Sequence, residues 1–282
     1  MLFLNVTLAL IMLALGLGLT LEDFAEVGRK PRAAAVGILG QLLLLPAVAF
    51  GLASLFDLSG PLAVGLVLIA ACPGGAHSNL FANLARGDTA LSVALTAVSG
   101  IAVLGTLPIW VGFALGAFAT EGAVSLPVGE TVVQVLGLLG APLGVGMLIR
   151  NRSESWGKRL EPLVKSIAVL LLLVIVAGSV AKNVADVGGF IQQVGVPVMA
   201  LNAGTMVLGG ALAALAGLRR QQTITVILEV GVQNSVLAVG IGMTVLGDVA
   251  YAVPAIVYSL LVYATAGLFL VGARLTAPTA SP

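Results

Sequence analysis

The stretch TITVILEVGVQNSVLAVG, residues 223–240, carries one carboxylate, Glu229, inside a run otherwise long and apolar enough to cross a bilayer. The basic pair Arg219-Arg220 lies just before it. A helix rising ~1.5 Å per residue from that pair puts Glu229 about 14 Å deep, near the middle of a hydrocarbon core of ~30 Å. A carboxylate there costs roughly 2.5–3.5 kcal/mol, so it requires a partner or a proton. Gly231, Gln233, Asn234 and Ser235 follow directly, the mixture of flexibility and polarity expected where a transmembrane helix is interrupted around a bound ion. The sequence therefore calls for a cation at Glu229.

Composition sets the surroundings of that charge. Of 282 residues 59% are hydrophobic and 9% charged, with a mean hydropathy of +1.14, which identifies a polytopic membrane protein rather than a soluble domain. The net charge of +1 gives no reason to expect nucleic acid as a partner. A single cysteine, Cys72, and a single histidine, His77, leave no ligand set for a transition metal. Leu2 to Thr20 lacks a basic leader and a small-residue cleavage pattern, and is expected to be a retained helix.

Apolar runs between polar or basic turns predict nine membrane helices, at 2–20, 33–56, 61–86, 89–116, 128–150, 163–184, 195–218, 222–246 and 249–273. Alternating spans put every Lys and Arg except Lys182 on one side. The excess of basic residues makes that side the cytoplasm, with the N-terminus outside and the C-terminus inside a cytoplasmic (inner) membrane. The outer connections, among them 117–126, hold no other Lys or Arg.

Two spans carry break signals. Cys72-Pro73-Gly74-Gly75 lies about 18 Å into span three and removes a backbone donor and helical preference at one depth. In span eight the signal is Gly231 beside Val232-Gln233-Asn234. Ser78-Asn79 and Asn234-Ser235 follow the two breaks, and the two spans run in opposite directions, the pattern of an inverted repeat in secondary transporters. Each second half begins at a positive helix end, so Ala76, His77, Asn79, Asn234 and Ser235 are candidates for holding an anion such as a carboxylate. Ser92 and Thr96 stand one helical turn apart, and Gln41 lies five residues before Pro46. Spacing alone equally lets the two hydroxyls bond their own helix, the commoner outcome, and lets Gln41 serve an ordinary interhelical hydrogen bond. As a set, uncharged oxygens with one negative charge suit Na⁺ better than a transition metal. Cys72 reads as a packing residue, with a thiolate metalloid site as its rival, and His77 as either a substrate donor or a capped structural residue.

The segments ACPGGAHSNLFANLARGDTALSVALTAVS (71–99) and ILEVGVQNSVLA (227–238) resemble the paired signature of the bile acid:sodium symporter family, and the likeness extends over nearly the whole chain. By resemblance, one sodium site falls on Ser78, Asn79, Ser92, Thr96 and Glu229. A second falls on Gln41, Glu229, Gln233 and the backbone carbonyls of Val230 and Val232. The family fold implies an all-α protein with panel helix 1 in residues 1–32, a first core half in 33–116 and panel helices 5 and 6 in 117–194. A second core half occupies 195–274, followed by a tail, 275–282. The resemblance implies no cofactor beyond Na⁺, no enzymatic activity, and a sodium-coupled symport of a small carboxylate-bearing anion by alternating access. One departure stands out: Ala76-His77 occupies the place of the family's usual Thr-Ala, beside the substrate cavity, where a donor suits a small polar acid better than a steroid wall. The rival readings are proton coupling at Glu229, an arsenite-exporter-like transporter using Cys72, a ligand-sensing membrane protein, and an intramembrane hydrolase with Ser78 or Cys72 as nucleophile.

Overall fold

The computed structural model describes residues 2–118, 136–182 and 184–275. Thirteen helices follow in order: α1 Leu2–Gly18, α2 Leu21–Arg29, α3 Pro31–Leu39, α4 Leu45–Leu55, α5 Gly60–Ala71, α6 Ala76–Leu84 and α7 Thr89–Phe118. After the undescribed stretch come α8 Ala141–Arg152, α9 Glu154–Lys182, α10 Val184–Leu215, α11 Arg220–Gly231, α12 Ser235–Thr244 and α13 Val249–Leu275. Short π-helical turns, Gly40–Leu44 and Leu136–Gly140, precede α4 and α8. No strand occurs among the described residues. Five helical stretches there are long and apolar enough to cross a membrane, and six if α1 and α2, bent by 61°, count as one. Apolar side chains such as Leu170, Val207 and Leu268 are exposed on these helices, as a lipid-facing surface requires.

Sequence and structure differ at several boundaries. The first predicted span, 2–20, ends at Gly18, and a separate α2 turns away, started by Thr20, whose N–H donates to Asp23 Oδ2 at 2.7 Å. Its other end is clamped: Lys30 Nζ lies 2.6 Å from both Glu26 and Asp88. Burial opposes the Lys30 charge, but the hydrogen bonds it donates to Asp88 and Glu26 outweigh that and hold the ammonium above its ordinary pKa. Asp88 also receives the Leu91 N–H at the start of α7, and its carbonyl accepts Thr225 Oγ1 of α11, so one acid joins three elements. The stretch 185–194, expected as a connection, is helical: α10 begins at Val184 and continues through Pro197. Proline is tolerated there because neighbouring helices in a membrane bundle satisfy the freed carbonyl. Residues 119–126 of the expected outer connection, 128–135 of the fifth span and 276–282 of the tail lie outside the described residues, as does the Lys182 side chain.

Packing places α1 against α8 and α9, while α3 to α7 pack among themselves and onto α10 to α13. The α1–α8 crossing is close enough to need glycine on both sides. A Cβ on Gly16 would run into the Leu143 carbonyl, and one on Gly146 would sit 2.5 Å from the Leu13 carbonyl.

Candidate functional site

The two breaks cross. Between α5 and α6 the chain is extended at Cys72 to Gly75, and between α11 and α12 at Val232 to Asn234. An antiparallel bridge joins Gly74 to Gln233, and Asn234 N–H donates to the Pro73 carbonyl at 2.9 Å. Each interruption thus satisfies part of the other's backbone, which irregular chain at membrane depth requires. The Asn234 side chain then caps α12 by accepting Leu237 N–H at 3.1 Å.

Glu229, fully buried, lies beside this crossing on the last turn of α11. Its Oε1 is 2.8 Å from Ser78 Oγ, 2.5 Å from Ser92 Oγ and 3.3 Å from Thr96 Oγ1, and its Oε2 is 3.2 Å from Thr96 Oγ1. Asn79 Oδ1 takes part at 2.7 Å from Ser92 and 3.2 Å from Thr96. Ser92 and Thr96 therefore turn away from backbone-only bonding and face the carboxylate. The cluster lacks a positive charge. Ser78 is also 2.6 Å from the Gly75 carbonyl, which already accepts the Ser78 N–H at 3.0 Å. The hydroxyls of Ser78, Ser92 and Thr96 can donate to Asn79 Oδ1 and to both oxygens of Glu229, but all three are neutral and leave the carboxylate charge uncompensated. No Lys, Arg or His among the described residues reaches Glu229 within ion-pair distance.

On the other flank, Gln41 Nε2 is 3.4 Å from the Glu229 carbonyl and 3.4 Å from Gln233 Oε1. Gln233 Nε2 donates to the carbonyls of Val230 at 2.9 Å and Glu229 at 3.2 Å. Gln41 Oε1 is buried with no hydrogen-bond donor among the described residues, an acceptor left without a proton beside the Glu229 carbonyl. The Val230 and Val232 carbonyls belong to the same break. Gln41 reaches this place from a π-helical turn, a local widening of the helix that often marks functional sites. Just past the wide turn stands Pro46, which cannot donate to Leu42, and Trp110 Nε1 supplies that carbonyl's hydrogen bond at 2.9 Å.

Asn202 and Tyr258 carry part of the scaffold and are not visible as site residues in the sequence. Both donate to the freed Gly231 carbonyl, at 2.9 and 2.7 Å, and Thr265 Oγ1 donates to Asn202 Oδ1 at 2.6 Å. The available signal was polarity: Asn202 and Thr265 stand in apolar runs where an unpaired polar group is costly.

A cavity of about 290 Å³ lies between α6 and α12 on one side and α1 and α9 on the other. His77, Asn79, Thr96 and Asn234 line it, together with Tyr263, whose ring meets the His77 imidazole edge-on at 5.5 Å. Of the residues expected at an anion site, Ser235 is not among the lining residues, and its buried Oγ has no partner among the described residues. The Ala76 side chain lies outside the described residues. Cys72 is buried in the apolar core, where it packs. No group of three His, Cys, Asp or Glu side chains suited to a metal occurs among the described residues.

Residues 5–190 match the Sodium Bile acid symporter family. The chain belongs to that family. Among similar proteins, the "Probable sodium/metabolite cotransporter BASS2, chloroplastic" of Oryza sativa subsp. japonica is 32% identical over 83% of this chain and 54% of its own length. The "Uncharacterized sodium-dependent transporter YocS" of Bacillus subtilis is 30% identical over 91% of this chain and 78% of its own. The human "Ileal sodium/bile acid cotransporter" is 29% identical over 83% of this chain and 67% of its own. The chain covers little more than half the length of the first of these relatives. Its described residues have the helical, multi-pass membrane fold set out above.

Proposed function

We propose that this protein is a sodium-coupled symporter that imports a small, carboxylate-bearing organic anion by alternating access. The observation that carries this reading is the buried Glu229 carboxylate, which has no cationic partner among the described residues and is surrounded by hydroxyl and amide oxygens. A hard, weakly bound cation supplies the missing positive charge with oxygen ligands alone. Ser78, Asn79, Ser92, Thr96 and Glu229 hold one Na⁺. Gln41, Glu229, Gln233 and the carbonyls of Val230 and Val232 hold a second, which gives the orphaned Gln41 Oε1 its partner. With Na⁺ bound, the crossing is braced and the starts of α6 and α12 offer amides to a carboxylate through His77, Asn79 and Asn234. Similarity to relatives described as sodium/metabolite and sodium/bile acid cotransporters supports the coupling ion.

In the full architecture nine spans form an inverted repeat, with residues 33–116 and 195–274 as the moving core. Residues 1–32 and 117–194 form the panel, and 275–282 the tail. The N-terminus is outside and the C-terminus cytoplasmic, as the distribution of Lys and Arg requires. The packing of α1 mainly on α8 and α9, with a smaller contact on α12, supports such a division.

The test compares purified wild type with Glu229→Gln by thermal unfolding in Na⁺ against K⁺. An ion that binds only the native state stabilises by RT ln(1 + [L]/Kd), about 2.7 kcal/mol at a hundredfold excess over Kd. That stabilisation should disappear in the variant. An undiminished Na⁺ shift in folded Glu229→Gln contradicts the assignment.

A further inference from the structure

Lys165 lines the same cavity from α9, opposite His77, Asn79 and Asn234. It is the deepest charge on its helix: Glu154, Lys158, Arg159 and Glu161 precede it, and residues 166–181 contain no charge at all. It lies half-buried two residues into the expected span 163–184, where a charge favours a partner or a route to water. Glu161, one turn earlier, is the expected partner, yet no ion pair forms between them. The Glu161 carboxylate instead leans on α1, with Oε1 3.5 Å from where a Cβ on Gly18 would stand. Lys165 therefore faces a largely apolar cavity as a cation that no carboxylate among the described residues neutralises.

Charge in the cavity can be counted. The starts of α6 and α12 each contribute about half a positive charge, roughly +1 together. Two Na⁺ with one Glu229 carboxylate add a net +1 beside them, and Lys165 with Glu161 adds none in sum but separates a positive pole at the cavity from a negative one at α1. A guest that satisfies the core side and still offers an acceptor to Lys165 needs a second anionic group. The cavity, at about 290 Å³, sits at the lower end of the ~300–1,000 Å³ of small-molecule sites, so that guest is short.

We propose that Lys165 is a specificity-determining residue that selects short dicarboxylates, one carboxylate held at the core-side helix starts and the other by the Lys165 ammonium. This deepens the symporter reading and rests on it. Because the panel contributes the second contact, substrate is held by both moving parts and not by the core alone.

The test uses succinate and butyrate, four-carbon acids that differ in charge, titrated against purified full-length protein at saturating Na⁺ with thermal stabilisation as the readout. Wild type should bind succinate at least tenfold more tightly than butyrate. Lys165→Gln should erase that preference while keeping the response to Na⁺ alone, and Lys165→Arg should restore most of it. A residue that only supports the fold would weaken both acids equally. Absence of succinate binding to wild type, equal binding of the two acids, or an unchanged preference in Lys165→Gln overturns the proposal. In each of those cases an intact Na⁺ response leaves the symporter reading standing, whereas loss of the Na⁺ response in wild type removes that reading itself.

Discussion

Replacing Gly74 with alanine adds one methyl group at the point where the two breaks meet. Its Cβ would collide with Glu229 Oε2, and would lie 3.2 Å from Gln41 Nε2 and 3.3 Å from Ser78 Oγ. Ordinary carbon–oxygen contacts begin at ~3.3–3.6 Å, so the carboxylate must retreat from the hydroxyls that surround it. The cost does not arise from backbone strain, because Gly74 is not among the positive-φ glycines. Overpacking of a close-packed interior costs about 1–3 kcal/mol. If that falls on the Na⁺-binding geometry, half-maximal Na⁺ rises by roughly 5- to 150-fold. Gly75→Ala is the matched control: its Cβ meets Asn234 at 3.7–3.8 Å, an ordinary contact, and should leave Na⁺ binding near wild type. The assay is a Na⁺ titration of thermal stability in both variants. Wild-type Na⁺ dependence in Gly74→Ala would refute the placement of the ion against Glu229.

Ser92→Ala and Thr96→Ala should each raise half-maximal Na⁺ about fivefold, equivalent to ~1 kcal/mol for a lost ligand, and the double variant should be non-additive because both serve one carboxylate. Unchanged Na⁺ dependence in the double variant would return both hydroxyls to a structural role. His77→Ala should weaken succinate binding about fivefold, ~1 kcal/mol for one hydrogen bond, without altering the Na⁺ titration, since the imidazole faces the cavity and Tyr263 rather than Glu229. A wild-type succinate titration would make His77 structural. Two Na⁺ moving with a dicarboxylate carry no net charge, so succinate uptake into proteoliposomes should not respond to an inside-negative potential. A net charge of +1 would gain ~2.3 kcal/mol per 100 mV, and potential-driven succinate uptake would contradict the paired stoichiometry.

What the sequence made legible was what a membrane penalises. A carboxylate at mid-depth and a Pro-Gly-Gly run are costly in hydrocarbon whatever surrounds them, so Glu229 and both breaks could be read locally, and the structure interrupts the chain at both. Which way Ser92 and Thr96 point was not legible. Spacing put them on one face but could not choose between helix backbone and Glu229, a choice made by where α11 lies against α7. The widened turn at Gln41 was equally hidden, because Pro46 announces a missing donor without saying that Trp110, far along the chain, will replace it. Asn202, Tyr258 and Lys165 take their meaning from cavities and freed carbonyls that exist only after packing. The early start of α10 was not legible because Gly188-Gly189 is a loop signal in water, whereas a bilayer favours helix.

The crossed breaks also constrain how the protein is made. Ser78 and Glu229 are 151 residues apart in the chain, and the Pro73 carbonyl waits longer still for the Asn234 N–H. When α5 and α6 leave the ribosome, the extended segment between them has backbone groups with no partner in lipid, each unsatisfied group costing several kcal/mol. The first half of the chain therefore cannot settle in the bilayer in its final form. It must stay near water or another protein until α11 and α12 are synthesised, which makes assembly of the ion site a late step of biogenesis and ties membrane insertion of the first half to completion of the second.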